Sequence, residues 1–146
     1  MRIAMGSDHA GFELKQHVAD ALRDAGHEVV DVGTDSGEST DYPLFAEPAA
    51  RLVADGEAER GVLVCGSGVG VSIVANKVDG IRAVNAHDVG EAKLARQHND
   101  VNVLTLSGRR ISSEIADAIV ETFLDTDFEG GRHERRVELI AEVEGR

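Results

Sequence analysis

Cys65 stands directly before Gly66-Ser67-Gly68-Val69-Gly70, three glycines within five residues. Glycines at alternate positions let a backbone approach an anion closely. A helix that follows them offers free N–H groups and the positive end of its dipole. Such a turn can cradle a phosphate, or an oxyanion formed during a reaction; a tight strand-to-helix turn that uses glycine for packing leaves the same pattern. A thiol at the start of the turn sits where negative charge is favoured, which suits a general base or nucleophile. A lone cysteine ending an apolar strand is equally an ordinary small core residue. The spacing is GxGxG rather than the dinucleotide GxGxxG. Asp88 nevertheless follows the next apolar run, so a nucleotide-binding reading stays open.

Two further segments carry polar residues of reactive type. Gly6-Ser7-Asp8-His9-Ala10-Gly11 follows the first apolar run, and Arg96-Gln97-His98-Asn99-Asp100 precedes the last. His9 and His98, read as loop residues at strand edges, suit acid–base or phosphate contacts. His87 beside Asp88 is a weaker candidate, and His17 and His27 read as surface residues of the first helix. Arg132, Arg135 and Arg136 fall within five residues beside His133. On a helix Arg132 and Arg136 share a face and make a bidentate phosphate clamp, unless they pair instead with Glu134 and Glu138. Arg109 is a further cation. One cysteine, with no CxxC, no HExxH and no closely spaced histidine pair, argues against a metal site.

These segments need elements to hold them. Apolar runs at 2–6, 28–33, 61–65, 81–85 and 101–106 read as strands, and the central ones are nearly continuous in apolar residues, as in parallel strands covered on both faces. Between them, Phe12, Leu14, Val18, Ala21 and Leu22 recur at helical spacing up to a stop at Gly26. Further helices are expected over 45–54, 69–77, 90–97 and 111–124, with Ser112 or Ser113 as cap. A last helix spans about 131–144, its regular part from 134. This alternation predicts a Rossmann-like three-layer α/β/α sandwich, doubly wound around about five parallel strands, as a single domain over 1–146. In such sheets ligands bind at the strands' carboxyl ends, so the segments after the first and third strands should share one rim. The polar, glycine-containing stretch 33–43 follows another strand end and should help form the site.

The 146 residues make about one domain's worth of chain. No apolar run approaches the length of a membrane span, the first residues do not read as a secretory signal, and the single cysteine suits a reducing cytoplasm. Fifteen Lys and Arg against 27 Asp and Glu give a net charge of −12. Such a chain has no general attraction for nucleic acid or anionic membranes. An anionic ligand would need positive charge gathered locally, as in the arginines above.

GSDHAGF near the start, TDYP at 40–43, CGSGVG followed by SIVANK, GIRA at 80–83, RQHNDVNVL from Arg96 and GGRHERRV from Gly130 stand in the order of one family. The chain resembles the sugar-phosphate isomerases of the ribose-5-phosphate isomerase B group, which also includes the galactose-6-phosphate isomerase subunits. The likeness runs over about residues 2–143. It implies aldose–ketose isomerisation of a phosphorylated sugar through a cis-enediolate, with no metal or organic cofactor, and ribose 5-phosphate as the default substrate. A tetrose 4-phosphate or allose 6-phosphate stays open. By the family pattern Cys65 is the base that moves the proton, Ser67 keeps the adjoining hydroxyl, and the amides from Gly66 through Gly68 and Val69 to Gly70 hold the enediolate oxygen. His98 opens the furanose ring and Asn99 contacts the sugar. Asp8 and His9 meet the sugar and phosphate, Tyr42 lines the pocket, and Arg109, Arg132 and Arg136 bind the phosphate. Members that lack the cysteine use a glutamate later in the turn; Val71 stands there in this chain. The resemblance also implies a homodimer or homotetramer with sites shared between subunits.

Overall fold

The computed structural model describes residues 1–145. Five strands, β1 (Arg2–Ser7), β2 (Glu28–Asp31), β3 (Arg60–Cys65), β4 (Ala83–Asn85) and β5 (Val103–Ser107), alternate with helices α1 (Phe12–Asp24), α2 (Pro43–Ala54), α3 (Val69–Asn76), α4 (Val89–Asn99) and α5 (Ser113–Asp125), and α6 (Arg132–Glu144) ends the chain. All strand pairs are parallel, in the order β2-β1-β3-β5-β4. The predicted doubly wound single domain is therefore what forms. No helix among the described residues is long and apolar enough to cross a membrane.

Side chains alternate across a strand, and each face of this sheet has its own core. Ile3, Met5, Val62, Val64, Leu104 and Leu106 pack with α1, α4 and α5, while Ala4, Leu63, Cys65 and Val103 pack with α2 and α3. Cys65 thus faces α2 and α3, and is 4% exposed. Since β1 lies between β2 and β3, its helix and the helix after β3 leave the sheet on opposite faces. The loops diverge at that switch point and open a crevice at the strands' carboxyl ends.

The expected boundaries shift mainly at the two sheet edges. The strand expected over 28–33 ends at Asp31, and the one expected over 81–85 begins at Ala83. Backbone bonds to the neighbouring strand run past both ends: the Val32 N–H reaches the Met5 carbonyl at 2.9 Å before Gly33, φ 107°, turns the chain, and the Arg82 carbonyl accepts the Asn102 N–H at 3.0 Å. Ile81 is buried, but its N–H bonds the Val78 carbonyl in a turn. Ser112 caps α5, its Oγ accepting the Ile115 N–H at 3.2 Å, and Ser113 is the first helical residue. The last helix, expected over about 131–144, spans Arg132–Glu144.

Candidate active site

Cys65 ends β3, and the turn behind it reaches α3 through Gly68 in the left-handed region, φ 76°. A side chain at Gly68 would also strike the Asn85 amide, and one at Gly70 would strike the Tyr42 ring, so glycine is required at both. Around this turn lies a cleft of about 420 Å³, lined by Asp8, His9, Tyr42, Cys65, Gly66, Ser67, Val69, Gly70 and Arg109, with Ala10 and Ile73 added by the structure. The two segments expected on one rim do meet there.

Asp8, His9 and Ser67 are each held by an identifiable bond. Asp8 Oδ1 accepts the Gly11 N–H at 3.0 Å, which fixes the entry to α1. His9 Nδ1 accepts the Thr40 N–H at 3.1 Å, so a neutral ring carries its hydrogen on Nε2, free to donate. Ser67 Oγ accepts the Val69 N–H at 3.1 Å and keeps its own hydrogen to give to a ligand oxygen. Arg109 lies beside Gly66, and no carboxylate of the described residues pairs with it. The 33–43 stretch is tied down as well. The Ser7 N–H donates to the Gly33 carbonyl at 2.7 Å, the Thr34 N–H to the Ser7 carbonyl at 2.7 Å, and the buried Lys15 ammonium reaches Asp31 and the Thr34 carbonyl. Tyr42, at the start of α2, is thereby brought over α3.

The other expected site residues stand elsewhere. His98 and Asn99 are not loop residues but the last turn of α4. That helix leaves the carboxyl rim after β4 and runs back, so both lie at the opposite rim from Cys65. They line a groove of about 900 Å³ along the edge strand β4, with Leu94 on one side and Ile140 and Val143 of α6 on the other. His98 stacks on the buried His133, ring centroids 4.3 Å apart and planes within 12°. Burial, then His98 and Arg132, push the His133 pKa below the ordinary histidine value. Arg132 and Arg136 flank it on α6, exposed, with no ion pair to Glu134 or Glu138.

Glu129 brings a carboxylate to within 4.8 Å of ring nitrogens of His98 and His133, the one metal-like grouping among the described residues. Nearly parallel rings direct their in-plane lone pairs side by side, not to a common point, so a metal would require one ring to leave the stack. His87 and Asp88 have structural duties. Asp88 Oδ1 caps α4 by accepting the Glu91 N–H at 2.8 Å, and the His87 N–H donates to Glu91 Oε2 at 2.8 Å. The acidic residue that kept a nucleotide reading open is thus a helix cap. Val71 is fully buried, so no carboxylate enters the cleft from the turn.

Sequence reasoning did not single out Asn85, Thr105, Ser107 or the His133 stack. The only signal for Thr105 and Ser107 is two polar residues on the same face of an otherwise apolar strand, which names no partner.

A thiol, a glycine turn and the unpaired Arg109 at the switch point of a doubly wound sheet define a class: an α/β protein whose cleft suits a small anionic ligand. Residues 3–140 match the ribose/galactose isomerase family, and the chain belongs to it. It is 50% identical to ribose-5-phosphate isomerase B of Escherichia coli over 145 residues, 99% of this chain and 97% of that protein. The solved ribose-5-phosphate isomerase B of Clostridium thermocellum superposes with a TM-score of 0.98 at 47% identity, covering 99% of this chain and 98% of the other. That of Mycoplasma genitalium, with ribulose-5-phosphate bound, superposes with a TM-score of 0.96 at 40% identity, covering 99% and 97%.

Proposed function

We propose that this chain interconverts ribose 5-phosphate and ribulose 5-phosphate, with Cys65 as the base. The observation that carries the reading is the meeting of the thiol, the turn amides, the Ser67 hydroxyl and the Arg109 guanidinium in one cleft. The Cys65 thiolate removes the proton on C2 of the open-chain aldose. The electron pair left behind forms the C1–C2 double bond, and the carbonyl oxygen on C1 becomes an enediolate oxygen. Amides of the turn receive that charge. Ser67 serves the proton exchange between the two oxygens, and return of the Cys65 proton to C1 yields the ketose. Asp8, His9 and Tyr42 orient the sugar, and binding energy from the phosphate holds the reacting carbons at the sulfur.

Ribose 5-phosphate exists mainly as a furanose, which must open first. We assign that step to His98, with Asn99 on the sugar and Arg132 and Arg136 on the phosphate, all supplied by a second copy of the chain. The five residues of β5 alone span roughly 16 Å, which separates the rims within one chain. Apolar side chains are uncovered beside both half-sites: Val69 (51% exposed) and Ile73 (55%) at the cleft, Leu94 (53%) and Val143 (60%) at the groove. A two-fold dimer would lay one patch against the other twice and complete two sites; a tetramer would repeat that contact.

The test is turnover with EDTA present on ribose 5-phosphate, allose 6-phosphate and the tetrose 4-phosphates. Isomerisation of ribose 5-phosphate that iodoacetamide abolishes supports the reading. Faster turnover of another sugar transfers the mechanism to that substrate. No turnover on any of them overturns it.

A further inference from the structure

Four consecutive carbonyls of the glycine turn are held from the sheet side. The Cys65 carbonyl accepts the Gly108 N–H at 2.8 Å. That of Gly66 accepts the Ser107 hydroxyl at 2.6 Å and the Arg109 N–H at 3.2 Å. That of Ser67 accepts Asn85 Nδ2 at 3.1 Å, and that of Gly68 accepts the Thr105 hydroxyl at 2.8 Å. In a trans peptide the carbonyl and the next residue's N–H point in opposite directions. Drawing these carbonyls towards β5 and β4 therefore aims the N–H groups of Gly66, Ser67, Gly68 and Val69 the other way. Ser67 Oγ takes the last of these. The Ser67 and Gly68 N–H groups have no acceptor among the described residues' hydrogen bonds.

The tethers have no packing rationale of their own. Thr105 and Ser107 are fully buried, in a strand whose other members are Val103, Leu104 and Leu106. Valine would fill the Thr105 site with the same shape. A buried hydroxyl is costly unless bonded, and each of these spends its hydrogen on one turn carbonyl. Asn85 adds a third tether although its Oδ1 is buried without a partner, a cost that cavity filling does not explain. The three sit on two neighbouring strands, Asn85 and Ser107 at their ends and Thr105 paired with Asn85, so the rigidity of the sheet passes directly to the peptide planes of the turn.

We infer that Thr105 and Ser107, assisted by Asn85, are positioning residues: they fix the turn's peptide planes so that its free N–H groups meet the oxyanion that forms when Cys65 removes the sugar's proton. They touch no substrate. The inference rests on the isomerase reading above and adds the residues that pre-set its anion site. Pre-set donors matter because they need no reorganisation as the charge appears, and because that charge exists in the transition state more than in the substrate. Loss of a tether should therefore lower kcat and spare KM, which the phosphate contacts dominate.

The experiment compares Thr105→Val, Thr105→Ser and Ser107→Ala with the wild type on ribose 5-phosphate, alongside melting temperature. A phosphorylated aldonohydroxamate, a planar anionic mimic of the enediolate, is the second probe. The Thr105→Val enzyme should lose about 10- to 100-fold in kcat, less than removal of an anion-hole donor itself costs, with KM within about two-fold. Its inhibition constant for the hydroxamate should rise in step with the loss of kcat. Thr105→Ser, which keeps the hydroxyl, should restore both, and Ser107→Ala repeats the test should Thr105→Val fail to fold. Unchanged kcat and hydroxamate affinity, with only a lower melting temperature, would overturn the positioning role. A wild-type protein without turnover would instead remove the isomerase reading beneath it, so the two failures are distinguishable.

Discussion

At the carboxyl rim of the sheet, Cys65 ends a buried strand, and the turn after it is bonded carbonyl by carbonyl to its neighbours. At the opposite rim, His98 ends a helix, leans on one buried ring, and stands among exposed arginines without carboxylate partners. The first region is made largely of backbone held by the sheet. The second is made of side chains on helix ends beside an open apolar groove. Proton transfer between adjacent carbons needs fixed donors, and the cleft offers them. The ring opening and phosphate grip proposed for the second need reach, which side chains on helix ends supply.

Substitutions should separate these roles, and the largest effect belongs to the cleft. Cys65→Ala should lower kcat about 10³- to 10⁴-fold, the upper part of the range for a lost base, while the melting temperature changes little; steady-state kinetics beside calorimetry checks both. Near wild-type turnover would remove the thiol from the chemistry.

His98→Asn should cost about 100-fold in the aldose-to-ketose direction, the lower part of that range. Ribulose 5-phosphate carries its phosphate on the oxygen that would close a furanose, so it stays open-chain. Initial rates from the ketose should therefore fall far less. Equal losses in both directions would place His98 in the proton transfer itself.

Arg132→Ala and Arg136→Ala should each raise KM by roughly 10-fold, about the worth of one charge-assisted contact to phosphate. The affinity for inorganic phosphate as an inhibitor should fall in parallel. A loss of kcat at constant KM would mean that these arginines act on the reacting carbons.

The smallest expected effect concerns the stack under His98. Burial holds the His133 pKa below its ordinary value, with His98 and Arg132 adding to the shift. As pH falls, the unfolded chain takes up this proton before the folded one does. Stability should thus be fully present above pH ~6.5 and decline below it. Melting curves between neutral and mildly acidic pH should show a shallower decline for His133→Asn than for the wild type, and superimposable curves would contradict this.

Much of this was legible in the sequence. Parallel strands buried on both faces leave unbroken apolar runs, and β3 appeared where its run stood, while β5, expected over 101–106, begins two residues later at Val103. The switch-point rule alone puts Asp8 and His9 on the rim where Cys65 stands, and they share its cleft. The edges were less legible, because Gly33 turns the chain at φ 107° after β2 and Ile81 closes a turn before β4, and an apolar run reports neither. His98 was recognised, but its reading as a loop residue hid what chain direction decides: the last turn of α4 faces away from the cleft. Thr105 and Ser107 were overlooked because isolated hydroxyls in a strand report nothing until the carbonyls they reach are known.

The most direct measurement mixes two inactive chains. Cys65→Ala and His98→Asn chains, differently tagged, are co-expressed, and the species carrying both tags is assayed from ribose 5-phosphate. A site shared between subunits gives each mixed dimer one intact centre and one doubly damaged one, so activity should return to about half that of the wild type per dimer. If each site lay within one chain, the mixed species would be as inactive as its parents, and the division of the site between the two rims would be wrong.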